Sequence, residues 1–362
     1  MTSPSVRTLR YARAWTTGAY RYRESDVVVT RDGLDVPATI VRPVGDPDPP
    51  SWVVLHGITR PGRAHAQLLR FTRSIATAGI ATIVPDVPEW RDLQLRPDMS
   101  APTVAAGLEG LRAAGLSRDR PVGVIGFSFG APHAIAAVGQ PALAGQVGGV
   151  AGFGGYLHLE STFTFMMYGR HTHDGVPHQI QPDPYGRWIV AANILTAIPG
   201  CEDAGDVASA LHSLGAHSGD VGKVASDPIY DSFIRATRER VAPERRAMFD
   251  QFATPSTEAR PEPDRDWPTL LANAARFLDP RIDASDQLGH TPCPVTLMHG
   301  YRDNLIPCSE AQRIADAVGR PDTSVTVTRL LGHSAQERFR IGETLRDLPR
   351  FTRSLARVLS MV

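Results

Sequence analysis

Lysine is nearly missing from this chain. Lys223 is the only one among 38 basic residues, so arginine carries the positive charge, a bias that reflects genome composition rather than mechanism. The 38 acidic residues cancel that charge to a formal net of +0, and nothing in the balance marks a nucleic-acid partner. Cysteine is scarce too: Cys201, Cys293 and Cys308 are odd in number and have no Cys-x-x-Cys spacing, which argues against a zinc or redox motif. They are expected as buried free thiols in a reducing compartment, although Cys293 and Cys308 flank one strand and loop closely enough to leave a disulfide open. Met1 to Glu24 lacks the apolar core of a signal peptide, and no apolar run reaches the length of a membrane span. A cytoplasmic protein is therefore expected, unless a leader has been removed. No Gly-x-Gly-x-x-Gly fingerprint or phosphate-loop lysine is present, so no cofactor is implied. Repeats and low-complexity tracts are absent as well.

What is present is a soluble-protein composition, 42% hydrophobic and 21% charged, over 362 residues. That is enough for one large core and long enough to predict an insertion. The most informative stretch is Pro121 to Gly130, where a β-branched run ends in Gly126-Phe127-Ser128-Phe129-Gly130 and a small-residue helical segment follows from Ala131 to Val138. Strand, sharp turn and helix in that order thrust a serine hydroxyl clear of a sheet, and the flanking glycines leave room for the close approach of strand and helix. Ser128 is the candidate nucleophile. Around it, Asp26–Thr30 and Val36–Val41 flank an Arg31-Asp32-Gly33 turn as a hairpin. Buried strands are predicted at Trp52–Leu55, Ala81–Pro85, Val122–Ile125 and Gln146–Gly152, with helices at Arg63–Ala78 and Thr103–Ala114 between them. This alternation implies a mostly parallel sheet wrapped by helices on both faces, with ligands at the carboxyl ends of its strands.

The elbow in this context resembles the α/β-hydrolase superfamily, in particular its serine esterase and lipase-like branch with a helical cap. The resemblance implies a mostly parallel, doubly wound α/β sheet with a mainly α-helical cap inserted after the sixth strand. It also implies an acid and a histidine after later strands. Asp303 matches the acid, in His299-Gly300-Tyr301-Arg302-Asp303-Asn304-Leu305-Ile306-Pro307 after the strand Pro294–Met298. His333 matches the base, in Leu331-Gly332-His333-Ser334 after the helix Ser309–Val318 and the strand Ser324–Thr328. Glu160, after the sixth strand, is the weaker alternative acid. His56-Gly57-Ile58 is similar to the family's oxyanion loop, so the oxyanion hole is assigned to the backbone amides of Ile58 and Phe129. His56 and His299 are read as loop-holding residues.

The expected organisation is an N-terminal arm at 1–25, a first core part at 26–155, a helical cap at 156–288 and a second core part at 289–362. Tyr11, Trp15, Tyr20 and Tyr22 in the arm are expected to pack on the body, and a homodimer in which they cover a partner subunit stays open. Within the cap, helical patterns run over Trp188–Ile198 and Ser232–Phe252. Phe163, Phe165, Met166, Met167 and Tyr168 could line an acyl pocket or form cap core. His171, His173, Asp174 and His178 have the residue types of a metal site but read as an exposed polar loop. Arg60, Arg63 and Arg70 read as solvated, and Glu89 with Trp90 as a pocket rim. The function expected is cleavage of a small-molecule carboxylic ester by a serine hydrolase, with no metal. A thioesterase, an amidase or peptidase, and an acyltransferase use the same residues, and a non-catalytic binding protein is the reading from another class.

Overall fold

Short β-branched runs and the small, amphipathic segments between them dictate a layered α/β architecture. The computed structural model describes residues 3–332 and 341–362. Its N-terminal helix α1 (Pro4–Thr17) starts at an Ser3 cap and leads to the hairpin β1 (Tyr22–Arg31) and β2 (Leu34–Pro43), joined by a two-residue Asp32-Gly33 turn. There follow β3 (Ser51–Leu55), α2 (Ala66–Thr77), β4 (Ala81–Pro85), α3 (Pro88–Arg91), α4 (Ser100–Ala113), β5 (Val122–Phe127), α5 (Gly130–Val138) and β6 (Val147–Phe153). After a long helical stretch the sheet resumes with β9 (Val295–Gly300), α13 (Ser309–Val318) and β10 (Ser324–Thr328), and the chain closes on α14 (Ile341–Val358).

The main sheet has eight strands in the order β1-β2-β4-β3-β5-β6-β9-β10. β1 and β2 are antiparallel, β2 meets β4 antiparallel, and every pairing beyond is parallel. Period-2 alternation splits β3 between two cores: Val53 and Leu55 join α4, α5 and α13, while Trp52 and Val54 join α1, α2 and α14. The Trp52 ring needs a gap in the neighbouring strand. Gly123 supplies it, because a Cβ there would sit 2.3 Å from the ring. The aromatic N-terminus does pack on the body: Tyr11 is 4% exposed and meets Phe71 edge-on, and the Arg70 guanidinium lies 4.4 Å over Trp15. Cys201, Cys293 and Cys308 are buried and unbridged, with burial pushing Cys293 up to about 11 and Cys308 up to about 12. No helix among the described residues is long and apolar enough to cross a membrane.

Between β6 and β9 lie α6 (Leu159–Tyr168), the hairpin β7 (Arg170–His173) and β8 (Val176–Gln179), α7 (Pro184–Ile194), α8 (Gly205–Val221), α9 (Asp231–Arg238), α10 (Arg246–Phe252), α11 (Trp267–Leu278) and α12 (Ser285–Leu288). Several expectations change here. The single helix expected over Ser232–Phe252 is two, separated by a 3-10 turn at Pro243–Arg245. Pro243 has no N–H to donate and holds Ala242 in an extended conformation, which breaks the helical ladder. The helix expected at Trp188 starts earlier, at an Asp183 cap, and tightens to 3-10 over Leu195–Ala197. The His171–His178 segment is a hairpin rather than a loop, and its Asp174-Gly175 turn has both residues at positive φ, 50° and 74°.

Candidate active site

The site is built first from backbone. β5 ends at Phe127 and α5 begins at Gly130, leaving Ser128 on the turn at φ 52°, a left-handed conformation that costs a non-glycine residue roughly 1–2 kcal/mol. Its N–H donates to Phe153 O at 2.8 Å and its carbonyl accepts from Ala131 N–H at 2.9 Å, so both sides of the strained residue are pinned. A Cβ on Gly126 would fall 2.2 Å from Gly130 O, and one on Gly130 would fall 2.9 Å from His56 O. Strand, helix and the loop after β3 therefore meet backbone to backbone around Ser128.

That loop is the one carrying Ile58. It lies directly on Ser128, since the Cβ position of Gly57 is 3.1 Å from Ser128 Cβ and 3.6 Å from Ser128 Oγ. Among the described residues, neither the Ile58 amide nor the Phe129 amide has a hydrogen-bond acceptor. His56 is buried beneath the loop, accepts from Val87 N–H at Nε2 (3.0 Å) and donates Nδ1–H to Gly57 O (2.7 Å), which assigns its tautomer. Burial, the largest influence, lowers its pKa and keeps it neutral. It thus holds the loop and has no nitrogen left for proton transfer.

The loop after β9 is organised by its own carboxylate. Asp303 is 2% exposed, and its Oδ1 accepts from Leu305 N–H and Ile306 N–H, both at 2.9 Å. His299, fully inside the protein, sets Nε2 3.0 Å from Ile306 O and 3.4 Å from Asp303 Oδ2, closing the loop on itself. Glu160, by contrast, projects from α6 and pairs with Arg276 of α11 at 3.3 Å. His333 lies outside the described residues. The chain leading to it is in view: Tyr301 N–H donates to Thr328 O at 2.8 Å, and Leu331 O passes 2.4 Å from the Cβ position of Gly300. That run brings Leu331 against the start of the loop that carries Asp303.

Over Ser128 lies a pocket whose lining includes Ile58, Phe129 and Ile306 from the sheet side, with no charged residue among the described ones. The opposite wall comes from α6 and α7. Phe163, Met166, Tyr185 and Ile189 face it, whereas Phe165 and Met167 are buried away from it, so the aromatic and methionine stripe divides between pocket wall and core. Tyr156 also reaches the pocket, its hydroxyl donating to Ile282 O at 2.9 Å and accepting from His133 Nε2 at 3.0 Å. Burial takes His133 down to about 3, so it stays neutral. Glu89 and Trp90 do not form the rim expected of them. Glu89 pairs with Arg31 at 2.6 Å, and Trp90 is fully buried, edge-on to Phe129 and His56.

Residues missed in the sequence tie the segment after β6 to these loops. Glu310, 0% exposed, accepts from Leu157 N–H (2.9 Å), His158 N–H (2.8 Å) and Ser161 Oγ (2.7 Å) and pairs with Arg313. Its position in the first turn of α13 is an ordinary helix signal, and nothing local reveals partners some 150 positions upstream. Arg63 is not solvated either, pairing with Asp86 at 3.2 Å and Asp26 at 2.7 Å. The histidines of β7 and β8 stack on one another, His171 on His178 at 5.1 Å, and no group of side chains among the described residues could hold a metal ion.

The strand order, the strained serine between β5 and α5, and the helical layer above the carboxyl edge decide the architecture. The fold is that of the α/β hydrolases. No protein-family model matches the sequence, and no curated protein matches it. Among solved structures, the chain is similar to brefeldin A esterase, described as a bacterial homologue of human hormone-sensitive lipase, at 17% identity and a TM-score of 0.48 over 98% of this chain and 87% of that one. It is also similar to esterases of Rhizomucor miehei, at 15% identity and a TM-score of 0.49 over 98% and 90%. The acylaminoacyl peptidase of Pyrococcus horikoshii aligns at 11% identity and a TM-score of 0.46 over 96% of this chain, which spans only 42% of the peptidase's length. At such identities the activities of those proteins are not carried over to this α/β-hydrolase-fold chain.

Proposed function

We propose that the chain is a serine hydrolase that cleaves carboxylic esters through an acyl-enzyme. The observation that carries this reading is Ser128, held at φ 52° at the floor of a largely apolar pocket beside two amides without acceptors among the described residues. Such strain persists only where the surroundings over-determine it, and a binding protein has no need of it. In this reading Ser128 Oγ attacks the ester carbonyl as His333 takes its proton, and Asp303 orients the ring and stabilises the imidazolium. The Ile58 and Phe129 amides receive the developing oxyanion, each contributing on the order of 2.7–4 kcal/mol. The Phe129 amide also stands at the N-terminus of α5, where the helix dipole favours negative charge. His333 then passes the proton to the leaving alcohol, and water activated by the same residue releases the acid.

Apolar side chains predominate among the described residues that line the pocket, which favours an apolar acyl group. In the same reading 156–288 forms a cap that shapes the pocket. The test is intact-mass analysis after exposure to a fluorophosphonate, with hydrolysis of p-nitrophenyl esters from acetate to palmitate. One adduct on Ser128 and turnover that peaks at one acyl length are expected. Ser128→Ala should lose the adduct and lower kcat by roughly 10⁴-fold or more; a folded Ser128→Ala protein with near-unaltered turnover would remove the mechanism.

A further inference from the structure

The loop over Ser128 is gripped from two sides at consecutive peptide groups. Gly57 C=O and Ile58 N–H belong to one planar peptide, so the His56 Nδ1–H bond to Gly57 O (2.7 Å) sets the direction in which the Ile58 amide points. Ile58 C=O belongs to the next peptide, and the Tyr185 hydroxyl donates to it at 3.1 Å from the cap side. With both flanking planes bonded, φ and ψ of Ile58 are fixed together.

Tyr185 is itself well anchored. It stands in the first turn of α7, where its own N–H donates to the capping carboxylate of Asp183 at 2.9 Å. Two residues earlier, Asp183 N–H donates to Asn304 O at 2.8 Å, beside Asp303. A single turn of the cap thus touches the loops on both sides of Ser128. Burial, the dominant influence, pushes the Tyr185 phenol above its ordinary value, so the hydroxyl remains a donor through neutral and mildly alkaline pH.

We propose that Tyr185 is a positioning residue for the oxyanion loop, acting through Ile58 C=O, an assignment that rests on the reading of Ser128 as nucleophile. It never touches the reacting atoms in this role. It keeps the Ile58 amide aimed where charge develops, so its removal should be felt in the chemical step more than in substrate binding.

The experiment compares the unaltered chain with Tyr185→Phe, Tyr185→Leu and Ser128→Ala, by p-nitrophenyl ester kinetics, rate of fluorophosphonate labelling and thermal unfolding. Tyr185→Phe keeps the ring and loses only the hydroxyl. It is expected to lower kcat and the labelling rate about 10-fold, less than the 10²–10³ for deleting an oxyanion donor outright, with KM and Tm unchanged. Tyr185→Leu should show the same kcat loss and, because the ring lines the pocket, a raised KM for the longer acyl chains. If Tyr185→Phe stays within twofold in kcat and labelling while Ser128→Ala is inactive, the proposal falls and the nucleophile stands. A Tyr185→Phe protein whose Tm drops while kcat and KM shift together marks a structural brace and also overturns it. Turnover retained in Ser128→Ala removes both readings at once.

Discussion

The backbone strain at Ser128 can be isolated from the chemistry of its hydroxyl. Ser128→Ala and Ser128→Gly both lack Oγ, but only glycine adopts φ 52° without penalty. Relief of the left-handed conformation contributes roughly 1–2 kcal/mol. The greater chain freedom of glycine in the unfolded state offsets about 0.5–1 kcal/mol of it. Ser128→Gly should therefore exceed Ser128→Ala by about 0.5–1 kcal/mol. With 362 residues at about 2.1 cal/mol/K each, the unfolding entropy is near ~0.76 kcal/mol/K, and 1 kcal/mol moves Tm by ~1.3 °C. The expected difference is about 1 °C, within reach of replicate differential scanning calorimetry at matched scan rates. Ser128→Ala unfolding at the same temperature as Ser128→Gly, or higher, would show that the turn stores no strain and would take away the physical argument that marks Ser128 as functional.

Two further outcomes follow from buried carboxylates. Glu310→Ala leaves the amides of Leu157 and His158 without their acceptor in the interior, a loss of about 3–5 kcal/mol that should lower Tm by several degrees and raise KM by loosening the wall that begins at Leu159; a Tm within a degree of the unaltered protein would refute the anchoring role. At Asp231 burial raises the pKa, but hydrogen bonds from Ser256 N–H (2.7 Å), Ser256 Oγ (3.0 Å) and Thr257 Oγ1 (3.1 Å) outweigh it and leave the group below the usual carboxylate range. A depressed folded pKa stabilises above the unfolded value and loses that contribution as pH falls through the folded one. Asp231→Asn should therefore unfold at lower urea than the unaltered chain at pH 7, with the gap closing below about pH 4; a gap constant from pH 7 to 2.5 would be inconsistent with this linkage.

The elements legible in the sequence are those whose signal is local. The run from Pro121 to Gly130 carries strand, turn and helix start in ten consecutive residues, and β9 with the loop that follows it is similarly self-contained. The 3.6-residue period located α13 from Ser309 to Val318 as observed. The layer over the site was harder to read because its structure depends on distant partners. α8 carries Gly215 and Gly219, poor helix formers, yet Gly215 is there so that Ile189 of α7 can approach, its Cδ1 lying 2.6 Å from where a Cβ would be. The β7–β8 hairpin had a readable signal in Asp174-Gly175, the same dipeptide that turns β1 into β2, but its Gly/Pro punctuation reads as an exposed polar loop. Tyr185 had no local mark at all. Its partner, Ile58, stands 127 positions upstream, and only the folded chain puts the two together.

The ring of Trp52 occupying the gap at Gly123 ties two neighbouring strands into a unit of inheritance. β3 leads to the loop that covers Ser128 and β5 leads to Ser128 itself, so the pair sets the height of one relative to the other from below. A chimera that takes β3 from one parent and β5 from another would bring either a bulky ring against a new side chain or a small residue over an unfilled hole. Recombination across this sheet can preserve the site only where both strands travel together.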